Sequence, residues 1–193
     1  MFIPTRWLRA CLAAAAGLIV LALVAPWSPP PAPVWVELQP GPGLRYLVGF
    51  EAGPAIRAGA AILIEAETGT VLFAHNEHER RPMASTTKIM TALVALENAA
   101  LQDVATVSRE AVQVPGSDAG LRPGQTLTVL ELLHGLLLPS GNDAANVIAE
   151  HVAGSQPAFV DLMNARAHEL GALRTRFANA HGLDAPDHYS TAY

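Results

Sequence analysis

Hydrophobic positions along this chain change their period several times, and each change marks an element. Leu12 to Ala25 is an apolar run without a charge. Ala60-Ala61-Ile62-Leu63-Ile64 and Val71-Leu72-Phe73-Ala74 are short apolar runs flanking Glu67-Thr68-Gly69-Thr70. That arrangement predicts a β-hairpin, with Gly69 where a positive φ is needed. Asn76 to Pro82 is a polar, charged loop. From Ser85 onward Ile89, Met90, Leu93, Val94 and Leu96 recur at helical spacing. They predict a helix that is apolar over most of its surface and central in the fold. Between Val107 and Leu127 the pattern is irregular, with turns at Pro115-Gly116 and Pro123-Gly124. Thr128 to Glu131 reads as a capping box opening an apolar helix through Leu138, which Pro139 ends. Pro139-Ser140-Gly141 leads at once into another helix, with Ala144, Val147, Ile148 and His151 on one stripe and Gly154 as its stop. Ser155 caps a third helix to Leu170, with Phe159, Leu162, Met163 and Leu170 as its apolar face and Gly171 beyond its end. No internal repeat is visible.

Charge and composition assign the segments before the hairpin. Arg6 and Arg9 precede the Leu12–Ala25 run, which is short for a membrane span and fits an export signal with the body translocated. Residues 1–25 are therefore read as a signal peptide or an uncleaved signal anchor, since Leu23 and Pro26 make a poor cleavage site. Residues 26–54 are read as a Pro-rich linker and domain entry: Pro26 to Gly43, with Pro26, Pro29, Pro30, Pro31, Pro33, Pro40 and Pro42, is a semi-rigid spacer, although Val34 to Leu38 would also fit an irregular edge strand. The 193-residue chain is long enough for one domain with a core, here residues 55–193. Its net charge is −5, and no basic stripe is present, which argues against a nucleic-acid partner. The single cysteine, Cys11, lies in the leader, so the exported part would carry no disulfide, as suits an oxidising compartment.

Lys88 is the only lysine; every other cationic side chain is arginine. A guanidinium keeps its proton near neutrality, whereas a desolvated amine can lose one and act as a base. Ser85 lies three residues earlier, on the same helical face, where a neutral amine would make its hydroxyl a nucleophile. The helix N-terminus favours developing negative charge, and the Ser85 N–H can serve half of an oxyanion hole. A Ser-x-x-Lys match alone is weak, because Ser85 could equally be a plain N-cap. Ser140-Gly141-Asn142 adds a rigid hydroxyl between two helices and an amide that can donate to and accept from a peptide group. Alone, that tripeptide would read as an interhelical cap.

Together and in this order the motifs resemble the serine D-Ala-D-Ala carboxypeptidases, the low-molecular-weight penicillin-binding proteins. The resemblance extends through Arg80-Arg81-Pro82-Met83-Ala84-Ser85-Thr86-Thr87-Lys88-Ile89-Met90-Thr91-Ala92-Leu93, Pro139-Ser140-Gly141-Asn142-Asp143-Ala144 and His181-Gly182-Leu183-Asp184-Ala185-Pro186. It implies an α/β fold, the serine β-lactamase and penicillin-binding architecture of an antiparallel sheet with a helical lobe. It implies that Ser85 attacks the penultimate D-Ala carbonyl of a peptidoglycan stem peptide, that Lys88 takes its proton, that Ser140 relays a proton to the leaving nitrogen, and that Asn142 holds the peptide backbone. Water then hydrolyses the acyl-enzyme. No cofactor or metal is implied, and β-lactams would acylate Ser85. Ser-Gly-Asn looks like a carboxypeptidase rather than a class A β-lactamase; an endopeptidase and a non-catalytic wall-binding protein are the other readings.

The family's third motif, Lys-Thr-Gly on an inner strand, is absent from these residues, because no lysine follows Lys88. The expectation is a chain truncated after Tyr193, missing C-terminal strands, and inactive and poorly folded by itself. An in-frame Lys-Thr-Gly beyond Tyr193 would establish truncation. His75 and His78, three apart on a polar loop without a third ligand, are not expected to bind metal. His181 and Asp184 are expected to shape the edge of the site.

Overall fold

The computed structural model describes residues 54–193 together with two strands, β1 (Val34–Trp35) and β2 (Arg45–Val48). The apolar leader, with the export reading and Cys11, lies outside the described residues. The predicted hairpin forms from β3 (Ala61–Ile64) and β4 (Thr70–His75), paired antiparallel. Gly69 closes its turn at φ 70°, and Glu65 ties the turn by accepting from the Glu67 and Thr68 backbone N–H groups at 3.0 and 2.7 Å.

The hairpin extends into a four-stranded sheet in the order β1-β2-β4-β3, antiparallel at β1–β2 and β4–β3 and parallel at β2–β4. Strand β1 lies where the edge-strand reading placed one, and β2 lies in the domain entry. Arg45-Tyr46-Leu47-Val48 is a short run of strand-favouring residues between Gly43 and Gly49, and the prolines upstream obscured it. A second, two-stranded sheet joins β5 (Val104–Thr106) to β6 (Thr126–Thr128) antiparallel. No sequence period announced it, since each strand is three residues long.

A 3₁₀ turn (Ala84–Thr86) leads into α1 (Thr87–Asn98). After β6 come α2 (Val129–Leu137), α3 (Asn142–Ala153) and α4 (Gln156–Glu169). The local signals hold. Thr128 and Glu131 form a full capping box on α2. Ser155 Oγ accepts the Ala158 N–H at 3.3 Å to cap α4. Gly154 ends α3 at φ 75°. Each of the two N-terminal caps, at Thr128 and Ser155, is worth about 1 kcal/mol. On α4 the expected face is half right: Phe159 and Met163 are fully buried, while Leu162 and Leu170 are exposed.

The central helix is α3, not the Ser85 helix. Every residue from Asn142 to Ala149 is buried, and the small Ala144, Ala145 and Ala149 let α1, α2 and α4 approach it closely. Val94, Leu132, Leu136, Ile148, Phe159 and Met163 pack around it as the core. Helix α1 turns inward with Thr87, Lys88, Thr91, Ala92, Val94 and Ala95, whereas Ile89 is 67% exposed and Leu96 53%. The helical spacing was correct, but the buried face is the one carrying polar groups, because their partners lie on other segments.

Candidate active site

Three hydroxyl and amine groups expected from the motifs converge. Lys88, only 2% exposed, donates from Nζ toward Ser85 Oγ at 3.3 Å, Asn142 Oδ1 at 2.8 Å and the His181 carbonyl at 2.6 Å. Ser140 Oγ donates to Ser85 Oγ at 3.0 Å. Neither serine caps a helix: α1 and α3 start without a side-chain cap, at Thr86 and Gly141. The capping alternatives for Ser85 and Ser140 therefore fail here. Ser85 itself is exposed, so an approaching carbonyl can reach its oxygen.

The geometry suits a base. Burial holds the Lys88 amine below the usual lysine value, because the charged form loses hydration. A neutral amine has two N–H groups and one lone pair. The shorter contacts, to Asn142 Oδ1 and the His181 carbonyl, take the two N–H groups. The lone pair is then left facing Ser85, positioned to accept its proton.

Backbone strain frames both hydroxyls. Ala84 at φ 45° and Ser140 at φ 62° are non-glycine residues in the left-handed region, a conformation that costs roughly 1–3 kcal/mol where surroundings impose it. Around Ser140 those surroundings are explicit. The Gly141 N–H donates to Gly135 O and the Asn142 N–H to Ser117 O. Buried Asp143 accepts from the Ala119, Leu121 and Ala144 N–H groups, which fixes the 117–121 loop beside the site. Asp143 was quoted only as part of the resemblance; its three backbone partners had no sequence signal.

Asn142 is held by two contacts. It is 4% exposed; its Oδ1 faces Lys88, and its Nδ2 donates to the Pro115 carbonyl at 2.7 Å. One lone pair of Oδ1 thus meets the Lys88 amine and helps to position it, while the second lone pair and the second Nδ2 hydrogen remain for a peptide group.

The His181–Asp184 loop does more than form an edge. The His181 carbonyl is a direct partner of Lys88, and Thr91 Oγ1 donates to the Ala180 carbonyl at 2.6 Å. Gly182, at φ 96°, packs on the nucleophile turn: a Cβ there would stand 2.5 Å from the Ala84 carbonyl carbon and 3.1 Å from the Ser85 nitrogen. His188, not singled out in the sequence, is buried against Thr87 with its Nε2 at 2.9 Å from Thr87 Oγ1. One sequence signal could have pointed to this seam. Thr87, Lys88 and Thr91 set polar groups into an otherwise apolar helix.

The other histidines stay apart from this site. His75 lies beside Asn76 Nδ2 and His78 beside Glu77 and the Tyr193 ring. Among the described residues no cluster of three or more His, Cys, Asp or Glu side chains could hold a metal.

Acid should weaken this region. The His181 imidazole is pushed down to about 4, first by burial and then by the charges of Lys88 and His188; burial also lowers His188, against the pull of Asp184. Both groups resist protonation when folded but accept it near pH 6.5 when unfolded. Their contribution to stability is complete above pH 6.5 and is lost on acidification, for His181 as pH falls toward about 4. The melting temperature should decline across that window, and His181→Asn should flatten the decline. An unchanged slope in His181→Asn would remove His181 as its source.

Solved structures identify the architecture. The chain superposes with a TM-score of 0.70 on the D-alanyl-D-alanine carboxypeptidase DacD of Francisella tularensis, at 36% identity over 73% of this chain and 35% of that one. It superposes with a TM-score of 0.69 on penicillin binding protein 6B of Escherichia coli, at 39% identity over 74% of this chain and 48% of that one. The fold is therefore the α/β penicillin-binding architecture. The family model for D-alanyl-D-alanine carboxypeptidases of peptidase class S11 matches residues 49–193, and the chain belongs to that family. Its relatives include the carboxypeptidase DacF of Bacillus subtilis, 43% identical over 72% of this chain, and DacD of Escherichia coli, 40% identical over 72%. The aligned part spans 37% and 39% of those two proteins.

Proposed function

We propose that the protein containing this chain is a serine-type D-Ala-D-Ala carboxypeptidase that trims peptidoglycan stem peptides. The observation that carries the reading is the convergence of Lys88 Nζ and Ser140 Oγ on Ser85 Oγ. Ser85 Oγ attacks the penultimate D-Ala carbonyl carbon while its proton passes to Lys88. The tetrahedral adduct collapses as the C–N bond breaks and a proton reaches the leaving D-Ala nitrogen by way of Ser140. Water then cleaves the ester, restoring the Ser85 hydroxyl. Asn142 and the His181 carbonyl hold the amine throughout. No cofactor is required by these steps.

β-Lactams would enter the same path as acylating mimics of the peptide. The substrate and the arginine-led apolar leader both support a location outside the cytoplasm, with membrane attachment if the leader is retained. Nucleic acid is not a proposed partner.

The test uses the product of the full open reading frame. It should release D-Ala from a peptide ending in D-Ala-D-Ala and take up fluorescent penicillin covalently, and Ser85→Ala should abolish both. The label should survive denaturing electrophoresis, because the Ser140-Gly141-Asn142 motif implies slow deacylation; rapid turnover of a chromogenic β-lactam would favour a β-lactamase. Cleavage of crosslinked wall fragments instead of free stem ends would indicate an endopeptidase. Peptide binding without turnover or labelling would indicate a wall-binding protein.

A further inference from the structure

The segment from Ala178 to His188 meets the nucleophile turn and α1 at four points. The Ala180 and His181 carbonyls accept from Thr91 and Lys88, Gly182 packs on Ala84, and His188 meets Thr87. The first three use loop backbone, which any chain with the same path would supply. The fourth is a side chain. His188 is 5% exposed and Thr87 fully buried. His188 Nδ1 accepts the Ala178 N–H at 3.0 Å, which leaves Nε2–H to donate to Thr87 Oγ1. One imidazole therefore joins the two ends of the loop and pins them to the helix, beside the residue that bears the amine.

We infer that His188 is a positioning residue for the Ser85–Lys88 pair: by fastening both ends of the 178–188 loop to Thr87, it fixes the His181 carbonyl on Lys88 Nζ. The inference rests on the proposed role of Lys88 as base and extends it to a side chain that touches neither Lys88 nor Ser85. With the loop fastened, two acceptors orient the amine and water is kept out. With the loop loose, the amine rotates freely and regains hydration, and both its aim and its basicity relax toward those of an ordinary lysine. The fastening needs a neutral ring, because an imidazolium has no acceptor for the Ala178 N–H. Thr87, the Ala178 amide, the edge of the Phe177 ring, the His181 imidazole and the Asp184 charge surround His188; Ser85, Asn142 and His181 surround Lys88.

Two readouts test this. Lysine labelled with ¹³C at Cε gives a Lys88 signal, identified by its loss in Lys88→Arg, whose titration reports the amine directly. Penicillin acylation rates report its aim. Thr87→Val keeps the shape of the side chain and removes the hydroxyl; Thr87→Ser keeps the hydroxyl. Thr87→Val and His188→Ala should move the Lys88 midpoint upward and slow acylation about 10–100-fold, the scale of a small misplacement. Thr87→Ser should retain both properties. If Thr87→Val and His188→Ala lower the melting temperature yet leave the Lys88 midpoint in place, His188 is only structural and the inference is overturned. An unaltered protein that takes no penicillin would sink the functional proposal, while the Lys88 titration would still decide the role of His188.

Discussion

Lys88→Arg should slow acylation of Ser85 by about 10²–10⁴-fold, the usual worth of a positioned proton acceptor. Arginine keeps the positive charge but does not become neutral in this pH range. Its planar fork also cannot place one lone pair on Ser85 while donating to Asn142 and the His181 carbonyl. Size alone could disturb the site, so Lys88→Met supplies a control: a slim side chain with neither charge nor base. Both variants should lose penicillin labelling, and Lys88→Met should do so while retaining a cooperative thermal transition, since it removes a buried amine without adding bulk. For the unaltered protein the acylation rate should rise with pH through the lowered Lys88 midpoint. Near-normal labelling of Lys88→Arg would mean that another group activates Ser85.

Gly182→Ala should be nearly as damaging although it adds a single methyl group. The new Cβ would press on Ala84 and the Ser85 nitrogen, which are backbone atoms and cannot swing aside. The residue would also be held at φ 96°, where an L side chain is strained. Relief requires either the loop or the nucleophile turn to move. In the first case the His181 carbonyl leaves Lys88; in the second Ser85 leaves Ser140. Acylation should fall about 100-fold through misplacement, with a stability loss of about 1–3 kcal/mol. Penicillin acylation kinetics beside a thermal melt would measure the two effects. An unchanged acylation rate in a folded Gly182→Ala protein would show that the loop and the nucleophile turn are not mechanically joined.

The parts of this molecule that could be read from sequence are those whose cause is local. The Gly69 turn, the Thr128–Glu131 capping box, the Ser155 cap and the Gly154 stop each depend on a few consecutive residues, and each forms as expected. The Ser85–Lys88 pair was visible because three residues on a helix return to one face. Ser140 and Asn142 came from their place between two helices and from the family pattern.

What escaped is long-range. His188 and Thr87 are separated by 101 positions, and nothing near either residue announces the other. The β5–β6 pair joins two three-residue strands across a loop with no period. On helix α1 apolar spacing pointed to Ile89 and Leu96, which are exposed, whereas Thr87, Lys88 and Thr91 are buried because the His188 ring and the His181 and Ala180 carbonyls, in that order, meet them. The contacts of Asn142 with Lys88 and the Pro115 carbonyl are long-range in the same way.

The isolation of Lys88 has a practical consequence for following motion. Among these 193 residues it is the sole side-chain amine, and it is almost wholly enclosed. A small acylating reagent should reach it more readily once the 178–188 loop withdraws the His181 carbonyl from the amine, so its modification rate should follow those openings. Where reclosing outruns reaction, that rate gives the free energy of local opening rather than of global unfolding. Within these residues that amine is a built-in gauge of how often the site breathes.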